Sequence, residues 1–161
     1  MSQDIESKLR NWLRDARRIV VVGVGNPLRR DDSVGVYVAG RLKNALHSQK
    51  VNVLECETVP ENFLGNIERV RPSHVIVVDA AETGLGPGNV ILTELGEAHD
   101  LTISSHNIPL SVFGEYLRRS IDAKVVLLGI QPERVEFGEG LTRRLKEAAE
   151  RVTGIFLKVL A

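Results

Sequence analysis

Val20-Val21-Val22-Gly23-Val24-Gly25-Asn26-Pro27-Leu28-Arg29-Arg30-Asp31-Asp32 is the stretch that decides the fold. It begins as an unbroken β-branched run and stops at glycine and proline. That pattern reads as a central parallel strand leaving its sheet at the carboxyl edge. In open α/β sheets ligands bind at that edge. The chain therefore delivers two adjacent carboxylates where a helix should start and where function is expected.

Gly23-x-Gly25 also begins like a dinucleotide fingerprint, with an acid after the next strand at Glu55 or Glu57. The fit fails at the third glycine position, which is Leu28, and at Asp31-Asp32, which occupy the approach to the helix. Carboxylates suit a helix N-terminus for the same dipole reason that phosphates do. A second anion ~4 Å away would cost roughly 4 kcal/mol at an effective dielectric near 20. A metal cation suits this loop better than a pyrophosphate. The plainer alternative is that Asp31 or Asp32 caps a helix beginning at Ser33.

The chain has 161 residues, within the range of one domain, and no linker-like run divides it, so residues 1–161 are read as a single domain. Lys plus Arg number 21 and Asp plus Glu number 21, which gives no electrostatic case for nucleic acid or an anionic membrane. The first residues show no signal peptide and no apolar run is long enough to span a bilayer, so the expected location is cytoplasmic. Cys56 is the one cysteine, which excludes an intramolecular disulfide, a zinc knuckle and a CxxC pair. It falls within the apolar run 51–56 and reads as a small buried strand residue rather than a nucleophile. No Gly-x-Ser-x-Gly elbow exists for a serine nucleophile.

Ile5, Leu9, Trp12, Leu13 and Ala16 predict an amphipathic helix over 4–16, an N-terminal element (1–17) ahead of the first strand. Strands are expected at 18–24, 51–57, 74–79, 89–94 and 123–130. Helices are expected at 33–46, after Pro60, from Pro109, and from Leu141 to the end. The loop 80–87 is too short for a crossover helix, so the strand at 89–94 should run antiparallel to its predecessor. The segment 96–107 has no periodicity and carries Ser104-Ser105-His106-Asn107. Alternating strands and helices make the fold α/β, a three-layer α/β/α sandwich around a mostly parallel twisted sheet.

Three candidates collect at the carboxyl edge: Asp32 after the first strand, Asp79 ending the third, and His106 before the fourth helix. Two carboxylates and an imidazole form a coherent ligand set with open positions, suited to a borderline ion such as Ni²⁺ or Zn²⁺. Taken singly, Asp79 reads as a turn cap and His106 as a loop histidine; convergence at one edge argues for a site. Asp31 is expected to orient the loop or hold a water. Asn26 is expected to lock the turn through its amide, while His47, His74 and His99 have no partner legible in the sequence.

These residues carry a family resemblance. Residues 23–35, Val77-Val78-Asp79-Ala80 and Ser105-His106-Asn107-Ile108-Pro109-Leu110 resemble, in order, the signature segments of hydrogenase maturation endopeptidases. Such enzymes cut a C-terminal extension from the large subunit of a [NiFe] hydrogenase once nickel is inserted. Pro60-Glu61-Asn62 and Leu128-Gly129-Ile130-Gln131-Pro132 resemble the branch serving formate-hydrogenlyase-type hydrogenases. Ser33 departs from the family, which most often has glycine there, and the N-terminal helix looks like an addition.

The resemblance implies metal contacts from Asp32, Asp79 and His106, with nickel supplied by the large-subunit precursor as partner and substrate. It implies metal-assisted peptide hydrolysis without a covalent nucleophile, with Asp31 a candidate for positioning water. A non-catalytic nickel-binding chaperone would use the same ligands, and a nucleotide-binding oxidoreductase would use Gly23, Gly25 and Glu57.

Overall fold

Five strands form one mixed sheet in the order β2-β1-β3-β5-β4. The computed structural model describes residues 2–95 and 109–161. β1 (Ile19–Val24) and β3 (His74–Ala80) are buried along their whole length, as their β-branched runs require in the middle of a parallel sheet. β1 pairs parallel with β2 (Val51–Glu57) on one side and with β3 on the other; Val22 lies opposite Leu54 and Val77. β3 pairs parallel with β5 (Lys124–Ile130).

β4 (Val90–Glu94) runs antiparallel, but it pairs with β5 rather than with β3, the strand before it. Both edges of β3 are already taken by β1 and β5, so the short loop carries the chain past β5 to the open edge.

Helices cover both faces. On one, α1 (Ser2–Trp12), α2 (Val34–Ala45) and α5 (Arg143–Leu160) pack Leu9, Val38, Leu42 and Phe156 over Val21, Ile76, Val78 and Leu128. On the other, α3 (Leu64–Val70) and α4 (Leu110–Ile121) set Ile67, Phe113 and Leu117 over Val20, Val22, Val75 and Val77. The layers are therefore helix, sheet, helix. No helix among the described residues is long and apolar enough to cross a membrane.

α1 stops at Trp12, short of the 4–16 span expected from periodicity. The chain has to reverse there to enter β1, and Ser73 Oγ accepts the Arg17 N–H at 2.9 Å just before it does. At this amino edge His74 is buried, its Nδ1 2.8 Å from Ser73 Oγ and its ring edge-on to Trp12 at 4.7 Å. Asp15 Oδ1 stands 3.3 Å from Nε2 but outside hydrogen-bonding geometry. Burial holds the imidazole below its ordinary pKa, with Asp15 opposing.

Candidate active site at the carboxyl edge

Two glycines bring the loop after β1 against the sheet. Gly25 has φ +147°, and a Cβ there would overlap the Asp32 carbonyl. A Cβ on Gly35 would overlap the carbonyls of both Val24 and Val78, so the start of α2 presses on the ends of β1 and β3. Asp32 precedes that contact by three residues and Asp79 follows Val78 directly; the two acids thus share one edge. Gly25 serves the approach of the chain to itself.

The acidic pair occupies a 3-10 turn, Arg30–Ser33, and α2 starts only after it, at Val34. α2 has no side-chain cap hydrogen bond, which removes the reading of either acid as its cap. Asn26 locks the turn as expected: its Oδ1 accepts the Leu28 N–H at 2.9 Å.

Both acids are buried, but they differ in what they meet. Asp31 faces the 131–142 connection between β5 and α5. Its Oδ2 accepts the N–H groups of Glu133 and Arg134 at 2.9 and 3.0 Å and the Thr142 hydroxyl at 2.8 Å. Its Oδ1 accepts the Thr142 N–H at 2.7 Å. Among the described residues, Asp32 Oδ2 accepts the Asn26 N–H alone, at 3.0 Å, and Oδ1 is buried without a hydrogen-bond partner. Leaving a buried carboxylate oxygen unmet costs about 1–3 kcal/mol or more. A cation is the partner that would offset that cost.

Glu61 repeats the feature. Its Oε1 is also buried without a partner among the described residues, in the 3-10 turn Pro60–Phe63 that follows the carboxyl end of β2.

Asp79 is fully buried, and its Oδ1 accepts the N–H of Ala80 at 2.8 Å. Strand alternation sets it with Val75 and Val77 on the face covered by α3 and α4. Pro109, the extended residue before α4, brings the chain back onto that face. His106, the third expected ligand, lies outside the described residues, as does His99. Among the described residues no three His, Cys, Asp or Glu side chains form a metal-binding group. Cys56 is buried, which pushes its thiol up to about 12. It cannot supply a thiolate nucleophile near neutral pH.

Thr142 and Gln131 were not among the residues singled out for chemistry. Thr142 holds Asp31 from 111 residues away, a pairing that no local pattern encodes. Gln131 is buried, and its Oε1 accepts from the N–H and hydroxyl of Thr83 at 2.7 and 2.8 Å. It ties the loop after β3 to the end of β5. The Gly129-Ile130-Gln131-Pro132 motif was the signal for it.

The profile of the hydrogenase maturation protease family matches residues 36–159. The hydrogenase 3 maturation protease of Escherichia coli K12 is 32% identical over 134 residues, covering 83% of this chain and 85% of that protein. The crystal structure of a [NiFe] hydrogenase maturation protease from Thermococcus kodakarensis superposes with a TM-score of 0.89 at 32% identity, over 95% of this chain and 98% of that one. The hydrogenase maturating endopeptidase HybD from E. coli superposes with a TM-score of 0.69 at 26% identity, over 88% and 93%.

Proposed function

The chain belongs to the hydrogenase maturation protease family, and we propose that it removes the C-terminal extension of a nickel-loaded [NiFe] hydrogenase large-subunit precursor. The observation that carries this reading is Asp32 Oδ1, a buried carboxylate oxygen without a hydrogen-bond partner among the described residues, on the turn that packs against β3. Such an atom is an unfinished coordination bond.

The metal is substrate, since it arrives with the precursor. Asp32 and Asp79 hold it from the sheet edge and His106 completes the protein's share. Carboxylate and imidazole together fit a borderline divalent ion such as nickel. When bound, the ion supplies Lewis-acid polarisation at the scissile peptide.

The chain's own residues supply position. The Asn26 N–H fixes one oxygen of Asp32, which leaves the other for the cation. The Ala80 N–H fixes Asp79. Asp31 clamps the 131–142 connection against the same turn, so its part is to hold the site's wall. Water serves as the nucleophile in this reading, and the buried Cys56 takes no part.

Mass spectrometry of a nickel-loaded large-subunit precursor before and after incubation tests the proposal. A shortened precursor supports it. Unchanged mass with nickel transferred would make the protein a nickel-binding chaperone instead.

A further inference from the structure

Phe137 is 79% exposed, the highest value among the five large exposed hydrophobic residues described. A single exposed apolar residue needs no explanation. Leu28, however, is 50% exposed, and its backbone is hydrogen-bonded to the neighbour of Phe137: the Gly138 N–H donates to the Leu28 carbonyl at 2.8 Å. Two of the five thus stand side by side.

Their backbones are tied on every side. Gly138 accepts the Arg30 N–H at 2.9 Å and forms a parallel bridge with Arg29. Glu136 is paired with both Arg30 and Arg134. Leu28 is held from behind by Asn26. Gly138, at φ +154°, holds a backbone conformation that favours glycine, and the Arg30 guanidinium lies against it. Several polar contacts therefore fix the backbone of an apolar pair that stands half or more exposed.

The pair also borders the catalytic edge. Arg29 accepts the Asp32 N–H at 2.9 Å. From the bridge, one residue leads to Phe137 and a single 3-10 turn leads to Asp32. Ordinary backbone spacings then put the two Cα atoms within about 15 Å. An extended peptide covers that distance in about five residues.

We propose that Phe137, with Leu28 beside it, is the substrate anchor of this protease: it seats an apolar side chain of the precursor within about five residues of the cut. The inference rests on the proposed cleavage reaction and names its specificity-determining contact. An apolar contact on a backbone already fixed raises affinity without entering the chemistry, because the loop need not be ordered on binding. Its loss belongs in KM, whereas loss of a group acting at the reacting centre belongs in kcat.

The test is cleavage kinetics on a nickel-loaded precursor, with thermal melts of each enzyme. Phe137→Ser should raise KM about tenfold or more with kcat kept within about twofold and the melting temperature unchanged. Phe137→Leu should restore most of the affinity. Replacing apolar precursor residues near the cut by serine should weaken the wild-type enzyme and leave Phe137→Ser little further affected. Unchanged KM in Phe137→Ser, or a fall in kcat alone, overturns the anchor while the protease reading stands. A wild-type enzyme that leaves the precursor uncut removes both.

Discussion

The 131–142 connection and the rim of β1 and β3 meet at adjacent residues, yet they are finished to different degrees. Asp31 serves the first and is met by four donors from Glu133, Arg134 and Thr142. Asp32 lies on the second, and one of its oxygens is met by no donor among the described residues. The same side chain, buried at both positions, has every oxygen hydrogen-bonded in one region and, among the described residues, one oxygen unpaired in the other. Burial alone does not mark a functional acid. What marks it is a satisfied wall behind an unsatisfied atom, the arrangement by which a rigid scaffold holds a reactive site.

The sharpest break of this contrast concerns where the cation comes from. Two carboxylates and one histidine leave an open coordination shell, which a partner's ligands can complete. The purified protein is expected to hold no stoichiometric nickel, and chelator-treated enzyme should cut nickel-loaded precursor but not the nickel-free form. Elemental analysis and the two cleavage reactions check this. Equal cutting of both forms would mean that the open valence is not where substrate is recognised.

Next in size are substitutions at the unfinished side. Asp32→Ala, Asp79→Ala and His106→Ala are each expected to reduce cleavage about a thousandfold, equivalent to about 4 kcal/mol of lost transition-state stabilisation. Asp32→Ala should change the melting temperature little, because losing an oxygen that the described residues leave unpaired offsets losing the acceptor of the Asn26 N–H. Cleavage assays beside thermal melts measure both. Normal cleavage by two of the three variants would dissolve the site.

The finished side should respond in the opposite currency. Asp31→Ala strands three backbone N–H groups and a hydroxyl on the 131–142 connection, for an expected loss of about 3–5 kcal/mol, or roughly 10 °C in melting temperature. Asp31→Asn should recover little, since an amide NH₂ would face groups that are themselves donors. Chemical denaturation of both variants reads this directly. A folded, fully stable Asp31→Ala enzyme without activity would invert the comparison.

How much of this was legible depends on distance along the chain. The β-branched runs of β1 and β3 announced a buried parallel sheet, and the short loop before β4 announced its direction. The position of β4 was not written locally, because it depends on which strand edges remain free once β1, β3 and β5 have paired. Asp32 and Asp79 could be set at one edge from strand polarity alone. The division of labour between Asp31 and Asp32 could not, because it turns on Thr142 and on the fate of single oxygen atoms. His106 was selected by its segment and lies outside the described residues.

The smallest effect lies at the opposite end of β3, where His74 is a buried polar group with neighbours from its own chain. Trp12 packs on the ring, Ser73 meets Nδ1, and Asp15 and Lys124 stand outside it. Burial lowers its pKa, and the nearby Asp15 carboxylate offsets this only in part. The sign follows from proton uptake: between the depressed folded value and the ordinary value near 6.5, the unfolded chain binds more protons than the folded one. The stability from a neutral His74 is therefore fully present above about pH 6.5 and is lost as pH falls through the folded pKa. His74→Gln should flatten that part of the pH dependence, with a change smaller than that of Asp31→Ala. Urea denaturation of both proteins at pH 7.5 and at pH 5 separates this from the carboxylates, which titrate lower. An undiminished slope in His74→Gln would show that this acid sensitivity does not come from His74.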